Sequence, residues 1–310
     1  MLAALCLVFS LGVYIFIPST FSISKITTIN CSKNAANRFL FDENQWMKWW
    51  PGQSATRAAS FPSRRNFQYN KNRYNIQRVF TDKIDVLKIN GLDSLHTSIN
   101  ILAQGNYSIT LQWECYLPGR TNPFKRLLQY QKAKDIKEDM TAIFQHLQTF
   151  LEETSNVYGF PIKEIISKDS TLIATMYITK NYPGTENIYS VIDSMKQYLL
   201  SEGAIQTDQP MLRVSKTYDS SYQTMIAIPV NKVLPGNGRF FFQRFVPYTT
   251  ITGTVNGGIH TVEQAFNQLE IYIYDHHRTS MAVPFQSLVT DRRAENDSLK
   301  WITVICQPVS

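Results

Sequence analysis

Cysteine and histidine are scarce in this 310-residue sequence, and neither is clustered. The five histidines stand apart from the four cysteines, which are Cys6, Cys31, Cys115 and Cys306. No two cysteines have the spacing of a zinc site, and no histidine is placed to complete one. Cysteines scattered singly also argue against a disulfide framework. The sequence therefore predicts no metal site and no chain held together by disulfides.

Catalytic motifs are missing as well. The sequence contains no glycine-rich phosphate loop. No histidine has a serine, cysteine or aspartate at a spacing typical of a catalytic triad; the five are His96, His146, His260, His276 and His277. We therefore expect no cofactor and assign no catalytic residue. Whether the chain is an enzyme stays open, and these absences favour a binding protein.

Acidic residues are absent between Asn44 and Thr81, where seven basic residues supply an excess equal to the formal net charge of +7. Such charge can keep a solvated loop and an edge strand soluble, or it can attract anionic lipid head groups or nucleic acid. No nucleic-acid motif accompanies the stretch, so we favour the first interpretation and predict no nucleic-acid partner. The basic residues are Lys48, Arg57, Arg64, Arg65, Lys71, Arg73 and Arg78.

One apolar run is long enough to matter for the membrane. Leu2 to Ile17 is apolar apart from Ser10, Gly12 and Tyr14, and about 20 such residues cross a bilayer as a helix. We predict that residues 1–23 form a transmembrane anchor with a single N-terminal pass. A cleaved signal peptide is the alternative, although no small-x-small site closes the run. The first basic residue after the run is Lys25, and one lysine does not decide the side of the soluble domains.

Two apolar patterns 74 positions apart (262 − 188 = 74) form an internal repeat. Each has the spacing i, i+3, i+4, i+7, i+10, i+11, which is one buried face of an amphipathic helix. The first set is Ile188, Val191, Ile192, Met195, Tyr198 and Leu199, and the second is Val262, Ala265, Phe266, Leu269, Tyr272 and Ile273. The sequence therefore predicts two helices with matching buried faces.

The repeat extends beyond the helices. A β-rich run precedes each helix, at 171–179 and 248–255, and an apolar run ending in Pro-Val follows each one, at 224–230 and 301–309. We predict a duplicated strand–helix–strand–strand unit with a pseudo-twofold axis. The groove between two such halves is a natural place for a ligand.

Residues 24–155 are predicted to form a separate α+β domain. A strand at 24–30 and a short helix at 34–41 precede four or five strands, and in 107–115 apolar and polar positions alternate. A long helix ends the region. Its apolar stripe is Leu128, Ile136, Met140, Ile143, Phe144, Leu147, Phe150 and Leu151. This order predicts a curved sheet wrapped on a long helix.

The stretch Asp42-Glu43-Asn44-Gln45-Trp46-Met47-Lys48-Trp49-Trp50-Pro51-Gly52 follows the first helix. With it, residues 24–155 resemble the START-like (SRPBCC, polyketide-cyclase-like) superfamily, whose members often carry a Trp-x-x-Trp-x-Pro stretch there. The resemblance implies a helix-grip fold with an apolar cavity between sheet and helix. It also suggests cavity-lining roles for Trp46, Trp49 and Trp113. The alternative is that the tryptophans fill the core and no ligand enters.

Residues 156–310 resemble the GyrI-like (gyrase-inhibitor-like) effector-binding domain. The resemblance rests on the doubled unit, on Gly257-Gly258 before the second helix, and on the ending from Pro284-Phe285 to Pro308-Val309. It implies a ligand groove in which the family places a glutamate that offsets cationic ligands. Val304 occupies that position here, so a neutral or amphipathic ligand is expected. Our candidate lining residues are Tyr177, Tyr222, Tyr248, Trp301 and Val304, unless these aromatic residues pack in the cores of their own halves.

The sequence thus predicts an α+β protein in three parts: an anchor at 1–23, a START-like domain at 24–155 and a GyrI-like domain at 156–310. The predicted function is membrane-anchored, non-catalytic binding or sensing of a small apolar or amphipathic molecule. A hydrolase or isomerase acting on a small hydrophobic substrate in either cavity is the alternative. A third hypothesis is a structural pseudo-sensor that binds only a protein partner.

Overall fold

The computed structural model describes residues 11–54, 65–105, 107–168 and 170–310. The chain divides into two compact units, Met1–Glu153 and Thr154–Ser310. We call them the N-terminal and the C-terminal unit, and describe each by itself.

The N-terminal unit is built on a seven-stranded sheet in the order β1-β7-β6-β5-β4-β3-β2, with every neighbouring pair antiparallel. The strands are β1 (Phe21–Ile29), β2 (Gln53–Ser54), β3 (Asn66–Tyr69), β4 (Asn72–Val79), β5 (Lys83–Asn90), β6 (Asp93–Gln104) and β7 (Ile109–Leu117). In β7 the odd positions are buried and the even positions are not, as the alternating sequence predicts.

The helices beside this sheet include α1 (Lys33–Phe41), α2 (Trp46–Trp49) and α3 (Pro123–Glu152). Helix α3 has 30 residues and begins where Asn122 accepts hydrogen bonds from the amides of Phe124 and Lys125, with proline in the first turn. Most of its predicted apolar stripe, from Ile136 to Leu151, is buried. Phe150 is only partly buried, and Leu128 is exposed because the buried positions in this part of the helix are Arg126 and Gln129. The predicted order of strand, short helices, antiparallel sheet and long helix is therefore observed.

The N-terminal end of the chain differs from the prediction at its boundary. Strand β1 already begins at Phe21, inside the range 1–23 given to the anchor, because Phe21 to Ile23 pair with Leu117 to Cys115. Residues 1–10, the larger part of the predicted anchor, lie outside the described residues. Residues 11–16 are helical, and the Tyr14 hydroxyl donates to the Thr121 carbonyl. Among the described residues, no helix combines the length and apolarity that crossing a membrane requires.

The C-terminal unit is an eight-stranded antiparallel sheet in the order β12-β9-β11-β10-β14-β15-β13-β8. Its strands are β8 (Ile162–Ile166), β9 (Ser170–Thr179), β10 (Met211–Lys216), β11 (Tyr222–Val230), β12 (Phe241–Phe245), β13 (Thr249–Asn256), β14 (Phe285–Leu288) and β15 (Ile302–Val309). Its helices are α4 (Thr154–Tyr158), α5 (Thr185–Ser201) and α6 (Ile259–Asp275).

The predicted duplication is confirmed. The first repeat is β9-α5-β10-β11 and the second is β13-α6-β14-β15. The repeats meet where β10 pairs with β14, and there Leu212 lies opposite Gln286, its own counterpart at the predicted separation (286 − 212 = 74). A residue that pairs with its own counterpart marks the pseudo-twofold axis, so the axis passes between β10 and β14.

One strand of each repeat crosses to the other, which the sequence analysis missed. Strand β8 precedes the first repeat but pairs with β13, while β12 precedes the second repeat but pairs with β9. Lys163 of β8 lies opposite Thr252 of β13, and Phe241 of β12 lies opposite Ala174 of β9. The two pairings are equivalent, because Phe241 follows Lys163 by the same number of positions as Thr252 follows Ala174 (241 − 163 = 78 and 252 − 174 = 78). The duplicated unit therefore has five elements, and the exchanged strands tie the two halves together.

Both long helices of this unit lie on the same face of the sheet, and the twelve residues of the two predicted helix faces either belong to its core clusters or pack against them. Helix α6 starts after Gly257, where φ is +144° and a Cβ would lie 2.6 Å from Thr261 Oγ1, so glycine is required there. Because side chains alternate along a strand, every second strand residue points to the opposite side. We call that side, which carries neither α5 nor α6, the helix-free face.

Candidate functional site

The helix-free face of the first repeat holds a cavity of about 160 Å³. A cavity of this size accommodates about one small aromatic ring. Most of its lining is apolar: Leu172, Met211, Met225, Ala227, Phe245 and Phe285. We call it the first-repeat cavity. It takes a small apolar molecule or the apolar end of a larger one.

Strand pairing places the floor of this cavity. Met211 lies opposite Ala227, and Arg213 lies opposite Met225, so the side chains of β10 and β11 point to the same face. The neighbouring strand β9 adds Leu172, which packs with Ala174 and Ala227 in a small apolar cluster. The floor is therefore a continuous apolar patch with one arginine beside it.

Aromatic rings of the second half form the wall. Phe245 contacts Tyr248 edge to face at a centroid distance of 6.0 Å, and it contacts Phe285 in the same manner at 5.8 Å. Phe285 belongs to the second repeat, and Pro308 at the end of β15 also lines the cavity. The cavity thus lies where the two halves meet, which is where the duplicated pattern predicts a groove.

The charges around the first-repeat cavity have one sign. Its described lining includes Arg213 and Arg244 and contains neither aspartate nor glutamate. Among the described residues, no carboxylate lies within 4.0 Å of the Arg213 guanidinium. The described lining therefore holds no carboxylate that would balance a cationic ligand, whereas its two arginines suit a neutral or anionic head group.

Of the five residues predicted for this groove, Tyr248 alone lines the cavity. Val304 is on the same face, opposite Ser287, but outside the lining. Tyr177 packs against the core under α5, and Tyr222 is on that same side, against Tyr182. Trp301 donates from its indole N–H to the Glu295 carbonyl at 2.7 Å and lies under the Arg292 guanidinium.

Strand parity explains these placements. Tyr222 has the parity of Ile226 and Ile228 in β11, both buried under α5, while Met225 has the opposite parity. Sequence reasoning missed Met211, Met225 and Phe285. The usable signal was the alternation of Met225 and Ala227 with the isoleucines, which indicates a strand that is apolar on both faces.

The tryptophans predicted for the N-terminal cavity are in the packed core instead. Trp46, Trp49 and Trp113 are all buried. Their indole N–H groups donate to the Leu40 carbonyl at 2.7 Å, the Phe39 carbonyl at 3.0 Å and Thr97 Oγ1 at 3.0 Å. With every donor satisfied and ring against ring, these residues fill the interior.

The N-terminal unit does contain a cavity, of about 860 Å³, between α3 and the ends of the β3–β4 and β5–β6 hairpins. Its floor is polar, whereas the resemblance implies an apolar one. The Asp139 carboxylate accepts from Asn70 Nδ2 at 2.8 Å, Asn72 Nδ2 at 2.7 Å and Tyr74 Oη at 2.9 Å. Lys88 Nζ lies 3.6 Å from the same carboxylate. We call this the polar cavity.

Burial shifts two groups on that floor. Desolvation raises the pKa of the Tyr74 hydroxyl well above its usual range, and the Asp139 carboxylate beside it adds to the effect. Desolvation also lowers the pKa of the Lys88 ammonium, although Asp139 opposes this by favouring the charged form. Tyr74 therefore stays a hydrogen-bond donor at all physiological pH values.

The described residues contain no group of three histidine, cysteine or acidic side chains placed to hold a metal ion. Their three cysteines are free and buried. Burial raises the pKa of the Cys31 and Cys306 thiols to about 12 and that of Cys115 to about 11. Such thiols are poor nucleophiles, because the reactive form is the thiolate. Cys6 lies outside the described residues.

No family model matches the chain, and no curated protein matches it. Among solved structures, it is similar to EcmrR in a structure described as an EcmrR–DNA complex (20% identity, 60% of this chain, 70% of that chain, TM-score 0.44). It is also similar to a hydrolase from Listeria innocua (10% identity, 48% of this chain, 91% of that chain, TM-score 0.38). A third similar structure is SAV2435 bound to tetraphenylphosphonium (16% identity, 48% of this chain, 93% of that chain, TM-score 0.33). At these scores the similarities assign neither family nor function, and none supports the START-like resemblance.

One of these similarities corrects a sequence prediction. We predicted that nucleic acid is not a partner, and that exclusion is wrong, because a similar chain is described in a complex with DNA. The basic stretch behind the prediction is only partly described, since Arg57 and Arg64 lie outside the described residues. Arg65 is described and forms an ion pair with Glu43 at 2.6 Å.

Proposed function

We propose that the C-terminal unit is a GyrI-like binding module that holds a small apolar or amphipathic molecule in the first-repeat cavity. The observation that carries this proposal is an apolar pocket at the junction of the two repeats, with its floor on strands of the first half and aromatic rings of the second half closing it. Preformed, mostly apolar cavities with a few polar groups are typical small-molecule sites. The two-repeat architecture supports the GyrI-like assignment.

We further infer a preference for neutral or anionic head groups. A ligand whose apolar end fills the cavity brings its head group near Arg213 and Tyr248. A cation there is desolvated beside a like charge, which is unfavourable. An anion gains a charge-assisted hydrogen bond from the guanidinium.

Binding without catalysis is part of the proposal. The described lining of the first-repeat cavity holds no serine, cysteine, histidine or carboxylate that could act as nucleophile or general base. The Tyr248 hydroxyl and the two arginines can orient a ligand. The geometry therefore supports recognition of a small molecule more directly than its conversion.

The membrane anchor stays a prediction and is part of the proposal. In addition to the apolar sequence, the described helical residues Leu11, Ile15 and Phe16 are exposed, as expected for a segment that continues into lipid. Deleting residues 1–20 spares β1 and should release the folded protein from the membrane fraction. If the shortened protein stays in the membrane fraction, the prediction of an N-terminal anchor is wrong.

A matched pair of substitutions tests the binding site. Met225 and Val304 occupy equivalent positions in β11 and β15 (304 − 225 = 79, the separation of the two Pro-Val ends), but only Met225 lines the cavity. Met225→Trp should fill the cavity and weaken binding of the neutral dye N-phenyl-1-naphthylamine by about tenfold or more. Val304→Trp should leave it within about twofold.

Dye fluorescence titration measures both affinities, and circular dichroism checks that both variants are folded. Equal losses in the two variants, or dye binding untouched by Met225→Trp, would remove the first-repeat cavity as the site.

A further inference from the structure

The polar cavity of the N-terminal unit plays no part in the proposed function, and its floor consists of buried polar side chains. Asn72, Lys88 and Asp139 are 7%, 7% and 5% exposed. They come from β4, β5 and α3, so three separate elements bring polar side chains to one buried point. Buried polar groups are retained at a cost unless they have partners.

Two groups on this floor have hydrogen-bonding capacity to spare. An ammonium carries three N–H donors, and the ion pair of Lys88 with Asp139 at 3.6 Å does not use all of them. The Asn72 amide turns its Nδ2 to Asp139, because a carboxylate only accepts, and this fixes Oδ1 on the other side. Among the described residues, Asn72 Oδ1 has no hydrogen-bond partner. One donor and one acceptor are thus left for a ligand.

The charges of the floor cancel. Asp139 accepts three hydrogen bonds and lies next to the Lys88 ammonium, so neither charge is available alone. An anion placed at Lys88 would approach Asp139, and a cation placed at Asp139 would approach Lys88. At the rim, Lys132 and Asp93 form a second ion pair at 2.7 Å, and the other charged lining residues, Lys71, Asp135 and Glu138, are of mixed sign. This arrangement favours a neutral ligand.

The rest of the lining suggests a ligand with several hydrogen-bonding groups and some apolar surface. Asn90 and Ser94 continue the polar lining toward the rim, while Tyr69, Leu95 and Ile136 add apolar patches. A sugar ring has this combination, since neighbouring hydroxyls offer both donor and acceptor and the C–H faces are apolar. The volume of about 860 Å³ is sufficient for a mono- or disaccharide.

We propose that the polar cavity binds a neutral polyhydroxylated molecule, a sugar or a related polyol. One hydroxyl oxygen accepts from Lys88 Nζ, and an adjacent hydroxyl donates to Asn72 Oδ1. Asn70 and Tyr74 are positioning residues, since they hold the Asp139 carboxylate that keeps Lys88 in place.

Three sugars of one shape and different charge test this proposal on the full chain. Glucose is neutral, glucuronate is anionic, and glucosamine is cationic where its amine is protonated. Saturation-transfer NMR titrations should show saturable binding of glucose, about fivefold or more tighter than of either charged sugar. Lys88→Met and Asn72→Leu should each weaken glucose binding by about tenfold. Lys33→Met, on an exposed position of α1, is the matched control and should change nothing.

A charge variant guards against misfolding of those two variants. Asp139→Asn keeps the side-chain shape but leaves the Lys88 charge unbalanced. The affinity for glucuronate relative to that for glucose should then rise by about tenfold. Loss of structure does not produce such a reversal of preference. The proposal is overturned if wild type shows no saturable glucose binding, or binds a charged sugar as tightly. It is also overturned if Lys33→Met weakens binding as much as Lys88→Met.

Discussion

The two repeats of the C-terminal unit are alike on one face of the sheet and unlike on the other. Under the helices, both bury the same pattern of apolar side chains. On the helix-free face, Leu172 and Ala174 of β9 correspond to Thr250 and Thr252 of β13 (250 − 172 = 78). The two repeats therefore share their buried core, whereas these two positions of the helix-free face are apolar in the first repeat and polar in the second.

This difference supports the first-repeat cavity as the proposed binding site. In the second repeat the threonine hydroxyls donate to backbone carbonyls, Thr252 to Lys163 at 3.3 Å and Thr250 to Tyr248 at 3.4 Å. In the first repeat the equivalent positions are apolar, and the first-repeat cavity opens over them. A face that stays apolar without a helix to cover it is expected where a ligand binds.

The largest expected effect tests the likeness of the two cores. Met195 of α5 and Leu269 of α6 are counterparts (269 − 195 = 74), and both are buried. Met195→Ala and Leu269→Ala should each lower the free energy of unfolding of the C-terminal unit by about 2–5 kcal/mol, because each leaves a cavity in a packed core. Hydrogen exchange of the sheet amides in the full chain measures the loss. A change below about 1 kcal/mol in one repeat alone would mean that the two cores are not equivalent.

An intermediate effect tests the difference between the free faces. Arg213→Glu reverses the charge beside the cavity and should improve binding of a small aromatic cation, benzyltrimethylammonium, by about tenfold. Val304→Glu places the acid where the GyrI-like resemblance has it, outside the lining, and should improve binding by less than about threefold. Calorimetric titration compares them. A larger gain from Val304→Glu would move the ligand site to the second repeat.

The smallest effect concerns pH and the ends of the two helices. Helix α5 is capped by Glu202 and α6 by His276, which stacks on Tyr272 at 3.9 Å. Desolvation lowers the pKa of His276 below its usual 6.5, although its hydrogen bond to the Tyr272 carbonyl opposes the shift. As the pH falls, His276 is therefore protonated in the unfolded state before it is protonated in the folded state. Neutral His276 contributes to the stability of the fold fully above pH 6.5, and this contribution is lost as the pH falls toward the folded-state pKa.

Amide exchange near the end of α6 should therefore speed up between pH 7 and 5 relative to that of α5, after correction for intrinsic rates. His276→Asn should remove the difference. The same pH dependence in both helices would show that His276 is not its source.

Features of the fold that depend on nearby residues could be predicted from the sequence, whereas features that depend on pairing between distant segments could not. The helix faces of α5 and α6 are periodic within a few turns, so the residues from Ile188 to Leu199 and their counterparts were predicted correctly. The crossing of β8 and β12 depends on pairing between distant strands, which no local pattern contains. Tyr177 and Tyr222 were chosen as aromatic residues without regard to strand parity, and they are therefore on the wrong face.

The two buried charges of the polar cavity could have been predicted from the positions of Lys88 and Asp139 in the apolar periodicity of their strand and helix. Lys88 follows Ile84 and Val86 at spacing 2 in β5, and Asp139 lies within the apolar stripe of α3 beside Ile136 and Met140. A charged residue in an apolar phase needs a partner. That two such residues meet each other is visible only in the fold, because β5 and α3 are about 50 positions apart (139 − 88 = 51).

The most direct test of the first-repeat cavity uses the methionine methyl groups. The chain has eight methionines; Met211 and Met225 line the cavity, Met195 is on the buried face of α5 and Met140 is in the N-terminal unit. With ¹³C-methyl methionine, added N-phenyl-1-naphthylamine should shift the signals of Met211 and Met225 together along one saturation curve and leave Met140 and Met195 in place. Saturable dye binding with Met211 and Met225 unchanged would contradict the account.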